Sequence, residues 1–369
     1  MSVVILGILT GVYAVLLLTF SVGILRAKKK PVTENAPRPS VSVIVPMRNE
    51  EEFAERTLHA LAAQNYAGEW EVICVDDRST DSTFSILDPF SKKNPRFHVL
   101  QVPKDAPFLE SPKKRALETG FKEARGEVLM CMDADCIPPP GWIASMASRF
   151  EGNIQIVQGA KENNGTNSFL HSYQKLETLG FTAIEAAGFS LGIPMVASAA
   201  ALAYKKDLFF KVDGFGDLVH LSSGDDDMLI HKMIREPQVE FCYNLDPEAI
   251  VKTAPVDKWK TLLFQRARWA SNGTSYTNKF YTFFLTLIYT FFIWLFISPW
   301  LVLFFDFPVS WCLIPLAVKI GCDSIFLTLA AIRTRSLRFL PYLLPAELLQ
   351  IPMIVFAVPL GILKLFKWK

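Results

Sequence analysis

The sequence predicts an α/β domain with a mostly parallel sheet, flanked on both sides by helices that can cross a membrane. Three observations predict this class. Short apolar runs alternate with helical stretches between residues 40 and 256, residues 1–25 carry no charged side chain, and long apolar stretches dominate after residue 279. Strands separated by helices of this length pair in parallel through right-handed crossovers.

The N-terminal segment, residues 1–25, predicts a transmembrane anchor, because a helix of that length crosses the roughly 30 Å hydrocarbon core. Arg26 and Lys28 to Lys30 come after the apolar stretch, whereas a cleaved signal peptide, the alternative, carries its basic residues first. The positive-inside rule then predicts a cytoplasmic location for the chain after residue 30, in a multi-pass protein of the cell (inner) membrane. Residues 26–39 predict a Pro-rich linker.

The α/β domain is predicted over residues 40–256. Its strands are predicted at 41–46, 70–77, 96–102 and 127–133, and its helices at 51–64, 80–91 and 113–125. No GxGxxG pattern follows any of these strands, which argues against a dinucleotide cofactor. A net charge of +2 without a dense basic stretch argues against a nucleic-acid partner. Cys74 and Cys131 lie inside apolar runs and predict buried free thiols rather than disulfides.

The chain after the α/β domain predicts a membrane region over residues 279–369, with two to three helices. Spans are predicted at 281–305 and 309–332. A further apolar stretch, 340–363, contains four prolines. Its alternatives are a third span, a re-entrant segment and an interfacial helix, and we favour the span.

Residues 257–278 predict an amphipathic helix at the membrane interface, with an apolar face that includes Leu262. Gln265, Arg268 and Trp269 stand at i, i+3 and i+4, so they share one face of this helix. An arginine can bind phosphate oxygens with two donors, and a tryptophan ring can stack on a sugar. The alternative is an ordinary interfacial helix with Trp and Arg anchors.

Polar side chains follow two predicted strands. Arg48 and Glu50 come after the first strand, and Asp76 and Asp77 end the second. Because ligands collect at the carboxyl ends of parallel strands, these side chains can bind a nucleotide. The alternative to nucleotide binding is a local structural role, in which the acidic residues stabilise a helix N-terminus and act as ordinary capping residues.

Two further acidic motifs suit metal binding and proton transfer. Asp133 and Asp135 follow an apolar strand, and on extended backbone their carboxylates point the same way, which suits Mg²⁺ or Mn²⁺. Asp225, Asp226 and Asp227 form an acidic triad. An ionised aspartate can be a general base, and acidic neighbours raise its basicity. A chance DxD and a solvated acidic turn are the alternatives.

Taken in order, these motifs resemble the family 2 glycosyltransferases of the GT-A fold. They are similar to the membrane branch that contains cellulose, hyaluronan and poly-N-acetylglucosamine synthases and ceramide glucosyltransferase. The matching pattern is an Asp strand end, DxD, an (E/D)D pair and QxxRW, and it runs from about Val41 to Gly273.

The resemblance implies a GT-A (nucleotide-diphospho-sugar transferase) domain that uses Mg²⁺ or Mn²⁺. It implies an inverting transfer of a sugar from a nucleotide sugar, expected to be a UDP-sugar, to a lipid or glycan acceptor at the cytoplasmic membrane face. Membrane lipids and proteins of a polysaccharide pathway are the expected partners. The implied site residues are Arg48, Glu50, Asp76, Asp77, Lys113 and Asp133 for the donor, Asp135 with Asp133 for the metal, Asp226 as catalytic base, and Gln265, Arg268 and Trp269 for the acceptor and the diphosphate.

Two departures from the family pattern keep other functions open. Ala201 stands where relatives commonly carry the Asn of a GANxAYR motif, and the chain has fewer C-terminal helices than the large polymer synthases. A processive polysaccharide synthase is the enzymatic alternative, favoured by QxxRW and disfavoured by the small membrane region. A catalytically inactive scaffold of a polysaccharide assembly is the alternative of another class.

Overall fold

The computed structural model describes residues 2–27, 33, 35–103, 105, 111–221, 223–273, 275–276 and 278–366. The chain divides into two compact units. The first, which we call the helical unit, comprises Met1–Arg26, Gly165–Ala187 and Pro255–Lys369. The second, the sheet unit, comprises Ala27–Asn164 and Gly188–Ala254. Much of the predicted linker, including Lys28 to Lys30, lies outside the described residues, as does Ser222 before the acidic triad.

The sheet unit contains ten strands and six helices among its described residues. The strands are β1 Val41–Met47, β2 Trp70–Asp76, β3 Phe97–Gln101, β4 Val128–Cys131, β5 Cys136–Ile137, β6 Ile154–Gly159, β7 Lys161–Asn163, β8 Leu202–Lys205, β9 Glu240–Asn244 and β10 Val251–Thr253. The helices are α2 Glu51–Ala62, α3 Thr83–Lys93, α4 Pro112–Glu123, α5 Trp142–Ala147, α7 Lys206–Lys211 and α8 Asp227–Met233. The four predicted strands and three predicted helices are therefore present, with ends that differ by a few residues.

The strands form a seven-stranded sheet in the order β3-β2-β1-β4-β8-β6-β9 and a small sheet in the order β5-β10-β7. In the larger sheet β1 pairs in parallel with β2 and β4, and β2 pairs in parallel with β3. Only β8 is antiparallel to its neighbours β4 and β6. The predicted mostly parallel sheet is confirmed. The carboxyl ends of β1, β2 and β4 consequently meet at one edge, where ligands collect in such sheets.

α4 packs closely on β1 and β2 and begins at Pro112. A side chain at Gly120 would place its Cβ 2.7 Å from a methyl carbon of Ile44, so the helix backbone lies directly on the sheet. Pro112 starts the helix, and the Ser111 hydroxyl accepts a hydrogen bond from the Lys114 amide at 3.3 Å. Proline at the first position and a capping serine are the expected start of a helix.

All six cysteines lie in the described part of the chain and are free thiols, which confirms the prediction for Cys74 and Cys131. Cys74, Cys131 and Cys136 are buried in the sheet unit. Burial raises the pKa of both Cys74 and Cys131 to about 12. These thiols therefore stay protonated at neutral pH and pack as small apolar groups.

The helical unit contains α1 Ser2–Arg26, α9 Trp259–Ala270, α10 Lys279–Phe305, α11 Ser310–Thr334 and α12 Leu343–Ile362, and it shares α6 Phe169–Ser190 with the sheet unit. Within the described residues of this unit, four segments are long and apolar enough to cross a membrane: Val4–Arg26, Lys279–Phe305, Ser310–Thr334 and Leu337–Ile362. The last of these begins with the 3-10 turn Leu337–Tyr342 and continues as α12. The proline-containing stretch at 340–363 is thus mostly one helix.

A buried polar network lies among these apolar helices. The Lys319 ammonium donates to Asp323 on the same helix at 2.8 Å, to Gln350 at 2.8 Å and to Glu347. The Tyr13 hydroxyl of α1 donates to Asp323 at 2.6 Å. Charged groups within apolar helices persist where they pair with one another. The network joins α1, α11 and α12.

Leu262 departs from its expected place. It belongs to α9 and is fully buried in a cluster with Tyr173, Leu176, Phe339 and Ala346, all within the helical unit. The apolar face of α9 that was expected to rest on the membrane interface therefore packs, at Leu262, against protein. Hydrophobic periodicity reports that a face is covered, and it does not report whether lipid or protein covers it.

Candidate active site

The DxD motif lies in a tight turn rather than on extended backbone. β4 ends at Cys131, and the Cys136 amide donates to the Asp133 carbonyl at 3.1 Å, which closes a four-residue turn. The hydroxyl of Thr57, on α2, contacts the carbonyls of Ala134 at 2.7 Å and Cys136 at 3.1 Å. The expected extended conformation is thus wrong, because this buried hydroxyl and the turn hydrogen bond bend the chain directly after the strand.

The turn still brings the two carboxylates together. Ligand atoms of Asp133, Asp135 and Cys136 all lie within 4.8 Å of one another. Burial, and then the charges of both aspartates, raise the pKa of the Cys136 thiol well above its ordinary value. The thiol is consequently a poor ligand, and the two half-buried carboxylates remain. Hard oxygen donors of this kind fit Mg²⁺ or Mn²⁺, which take their other ligands from water and phosphate.

Lys113, at the start of α4, joins the DxD motif to the acidic triad. Its ammonium nitrogen lies 2.6 Å from Asp133 Oδ1 and 2.8 Å from Asp225 Oδ2. Burial lowers the pKa of Lys113, but the charges of Asp133, Asp225 and Asp226 raise it, and the pKa lies well above its ordinary value of 10.5. Two motifs about ninety residues apart in sequence are thereby held at one place.

The acidic triad forms the start of α8. Gly224 adopts a φ of 85°, a conformation that glycine takes without strain, and it turns the chain into the triad. The carboxylate of Asp226 accepts from the Asp227 amide at 2.8 Å and from the Ala199 amide at 3.3 Å. Burial and the charges of Asp225 and Asp227 raise the pKa of Asp226 well above its ordinary value. A carboxylate in this environment is a stronger base than a solvated one.

Lys114 holds the segment that precedes the triad. Its side chain is fully buried, and its ammonium donates to the carbonyls of Leu218 at 2.6 Å, Leu221 at 3.0 Å and Ser223 at 2.6 Å. The sequence gives no signal for this contact, because a lysine on an amphipathic helix has the pattern of a surface residue. Lys114 was therefore missed, although it adjoins the predicted site residue Lys113.

Ala201, where the resemblance led us to expect asparagine, lies in the core of the sheet unit. Its side chain is 1% exposed. Gln158 contacts the backbone around it, donating to the carbonyls of Ser198 at 3.1 Å and Ala201 at 3.2 Å. The short 3-10 helix Ala199–Ala201 is thereby fixed beside Asp226, whose carboxylate it helps to hold.

Arg48 and Glu50 lie directly after β1, at the carboxyl edge of the sheet. Arg48 is exposed and Glu50 is half-buried. The Glu50 amide donates to the Thr83 hydroxyl at 2.8 Å, which ties the end of β1 to the start of α3. Both predicted donor-binding residues thus lie at the edge where a nucleotide is expected.

Asp76 and Asp77 differ in their surroundings. Both are buried at the end of β2. Arg115 binds both oxygens of Asp77, at 2.7 and 2.9 Å, in an ion pair with little exposed surface. Asp76 accepts longer hydrogen bonds, at 3.3 Å, from the Ser79 amide and from Gln101. The geometry therefore favours Asp76 over Asp77 as the residue that contacts a ligand.

Gln265, Arg268 and Trp269 lie on α9, in the helical unit, and their predicted place at the acceptor stays a prediction. The intervening Arg266 organises this helix. Its guanidinium binds both oxygens of Glu177 on α6, donates to Gln265 Oε1 at 2.6 Å and lies 4.0 Å from the centre of the Trp269 ring. Because arginine only donates, the oxygen of the Gln265 amide faces Arg266.

Comparison with known families gives a match to one family model. Residues 42–209 match the model described as glycosyl transferase family 2. This segment contains the end of β1, the DxD turn, Lys113 and the 3-10 helix at 199–201, and it ends before the acidic triad.

Two curated relatives are similar over part of their length. "Probable glycosyltransferase YdaM" of Bacillus subtilis (strain 168) is 26% identical over 260 residues, which cover 68% of this chain and 59% of that protein. "Undecaprenyl-phosphate 4-deoxy-4-formamido-L-arabinose transferase" of Salmonella choleraesuis (strain SC-B67) is 24% identical over 146 residues, which cover 39% of this chain and 43% of that protein. The chain thus spans about half the length of these relatives.

Among solved structures, the mannosyltransferase PcManGT from Pyrobaculum calidifontis, in complex with GDP-Man and Mn²⁺, is similar over almost the whole chain. The match covers 98% of this chain and 99% of that chain, with a TM-score of 0.59 and 18% identity. At that identity the similarity shows the fold. The predicted GT-A fold with additional apolar helices is confirmed.

Proposed function

We propose that the protein is an inverting glycosyltransferase, because residues 42–209 match the family model described as glycosyl transferase family 2. It transfers a sugar from a nucleotide sugar to a lipid or glycan acceptor beside the membrane. The observation that supports this most strongly is the contact of Lys113 with both Asp133 and Asp225. That contact supports a candidate cation-binding motif and a candidate base that act on one substrate.

The donor would lie along the carboxyl edge of the sheet. Arg48, Glu50 and Asp76 line the nucleotide side, and Lys113 and Asp133 approach the diphosphate. Asp135, with Asp133, would hold Mg²⁺ or Mn²⁺. When bound, such a cation stabilises the negative charge that develops on the departing nucleoside diphosphate. The structure of PcManGT, which has the same fold, is that of a complex with GDP-Man and Mn²⁺. This supports a divalent cation at the DxD turn.

Asp226 would be the catalytic base. It would accept the proton of the acceptor hydroxyl as that oxygen attacks the anomeric carbon on the face opposite the diphosphate, which inverts the anomeric centre in one displacement. The environment of Asp226 raises its pKa. Because the base must be ionised, turnover is expected to fall as the pH decreases through that raised pKa.

The acceptor side would be formed by Gln265, Arg268 and Trp269 on α9. Four helices that can cross a membrane support an acceptor at the membrane. A lipid acceptor is supported by the relative named as an undecaprenyl-phosphate sugar transferase. The basic residues after α1 support a location in the cell (inner) membrane with the sheet unit on the cytoplasmic side, and a UDP-sugar is the expected donor.

A processive polysaccharide synthase is the second candidate, because the chain contains the QxxRW pattern. Product length separates the two functions: a single added sugar excludes processivity, and a ladder of products supports it. A scaffold that has lost activity would transfer no sugar at all.

The proposed function is tested by incubating the full chain, in membranes or detergent, with UDP- and GDP-sugars and lipid-phosphate or glycan acceptors, each with and without Mn²⁺. Transfer that requires a divalent cation and changes the anomeric configuration supports the proposal. Retention of configuration, or no transfer and no hydrolysis of any donor, contradicts it.

A further inference from the structure

The ammonium group of Lys113 occupies a position between the two acidic motifs of the sheet unit. It lies 2.6 Å from an oxygen of Asp133 and 2.8 Å from an oxygen of Asp225. Both distances are those of close ion pairs. The Asp225 side chain is only 5% exposed, so water and salt screen that contact weakly.

We propose that Lys113 competes with the divalent cation for Asp133 and thereby couples cation binding to the segment Asp225–Asp227. Lys113 is then a positioning residue that acts on both motifs. The inference rests on the proposed function, because it takes Asp133 as part of the cation site.

The competition follows from the charges at the DxD turn. Asp133 and Asp135 are close enough to repel each other, and a neighbouring cation relieves that repulsion. In the free protein the Lys113 ammonium neutralises one of the two carboxylates. An arriving divalent ion therefore meets a carboxylate that is already paired and a positive charge beside it. Removal of the ammonium is expected to strengthen binding of the bare cation.

The coupling follows from the second partner of Lys113. Once a cation binds Asp133, Lys113 contacts Asp225 but no longer Asp133. The direct link between the DxD turn and the triad is then lost. Lys113 is then available to a diphosphate oxygen. Asp226 follows Asp225 in the chain and accepts from the first amide of α8, so loss of the link reaches the beginning of that helix.

The competition is tested by titrating the purified full chain with Mn²⁺ alone and following the electron paramagnetic resonance signal of the free ion. Lys113→Met is expected to bind Mn²⁺ about ten-fold more tightly than the wild type, because one adjacent unit charge has been removed. Lys113→Gln serves as a second neutral variant if Lys113→Met folds poorly. Lys113→Arg, which keeps the charge, is expected to bind as the wild type does.

A matched control removes the same charge from the same helix. Lys122 lies on α4, is 61% exposed and pairs with Glu118, so Lys122→Met is expected to leave Mn²⁺ affinity unchanged. Equal Mn²⁺ affinity of the wild type and the neutral Lys113 variants would overturn the competition. If neither bound Mn²⁺, the cation site of the proposed function would fail, and the inference with it.

The coupling has a separate readout in amide hydrogen exchange measured by mass spectrometry. Added Mn²⁺ is expected to speed exchange in peptides that cover Asp225–Ile230 in the wild type. It is expected to have no effect there in Lys113→Met. Unchanged exchange of these peptides in the wild type, at Mn²⁺ concentrations that saturate it, would overturn the coupling.

Discussion

The acidic motifs depend on single residues that carry no motif of their own. Thr57 supports the carbonyls of the DxD turn, Lys114 holds the carbonyls before the triad, and Gln158 fixes the segment beside Asp226. Each of the three side chains is fully buried. A buried polar group with all its partners in place fixes one local conformation, because any other arrangement leaves it unsatisfied.

Lys114 predicts a pH dependence of stability. Burial lowers its pKa from the ordinary 10.5 to about 8. The unfolded chain keeps the ordinary value, so between these two pKa values the unfolded state binds more protons and the free energy of unfolding rises with pH. Lys114→Met removes this contribution. The wild type is therefore expected to exceed the variant in melting temperature by more at about pH 9.5 than at about pH 7.5.

The comparison is made by thermal unfolding of the two proteins in the same detergent. Lys122→Met, which removes an exposed lysine from the same helix, is expected to differ from the wild type equally at both pH values. A difference for Lys114→Met that does not change between the two pH values would contradict the lowered pKa.

The candidate site residues could be proposed from the sequence alone, and their roles stay predictions, whereas their supporting contacts could not be predicted. Asp133, Asp135 and Asp226 belong to short sequence patterns that indicate cation binding and proton transfer without a structure. Thr57 contacts a carbonyl 77 residues away, and Lys114 contacts one 109 residues away. Contacts over such separations depend on how the strands and helices pack, and local pattern carries no information about that.

Among the helices and strands, the regular segments were predicted well and the irregular ones were not. Alternating apolar runs and helical stretches placed β1 to β4 and α2 to α4 within a few residues. The DxD backbone was expected to be extended, yet it turns directly after β4 because the Cys136 amide binds the Asp133 carbonyl. The apolar pattern that predicts β4 ends with the strand and gives no signal for the turn.

The pairing of α6 with α9 makes a second prediction. Arg266 on α9 binds both oxygens of Glu177 on α6, and both side chains are 12% exposed. Loss of one partner leaves a largely buried charge without its counter-charge. Glu177→Leu is therefore expected to destabilise the helical unit by about 1–3 kcal/mol.

The double variant Glu177→Leu, Arg266→Met is the matched control for this pair. It removes both charges and fills the space with apolar groups, so it is expected to unfold closer to the wild type than Glu177→Leu does. Melting temperatures in detergent provide the comparison. A double variant that melts at a lower temperature than Glu177→Leu would contradict an ion pair at this place.

At the scale of the whole molecule, the chain combines apolar helices with a polar network inside them. Lys319 faces Asp323, Glu347 and Gln350, and Tyr13 donates to Asp323. Lys319→Leu is expected to leave two carboxylates without a counter-charge among apolar helices, and so to lower the yield of folded, monodisperse protein in detergent.

Lys279→Leu, at the exposed first residue of α10, removes the same charge and is expected to behave as the wild type does in size-exclusion chromatography. Equal folded yields for Lys319→Leu and Lys279→Leu would contradict the role of the network. This network was not predicted from the sequence, because lone charges in apolar stretches do not indicate which helices they join.

The division into a helical unit and a sheet unit was also not predicted from the sequence. Residues 165–187 lie inside the predicted α/β domain, yet they group with the chain's first helix and its C-terminal part. α6 is long and contains polar residues, so its composition fits either unit. What the sequence did indicate at this scale is the combination of a nucleotide-binding α/β fold with helices able to cross a membrane.

In the proposed function, the DxD turn and the acidic triad form one site, with Asp226 as its base. The most direct measurement compares donor binding and turnover of the wild type, Asp226→Asn and the control Asp217→Asn, whose side chain is exposed. Asp226→Asn is expected to bind the nucleotide sugar with Mn²⁺ as the wild type does, while its turnover falls by about 10²–10⁴-fold. A turnover of Asp226→Asn close to that of the wild type and of Asp217→Asn would contradict the claim.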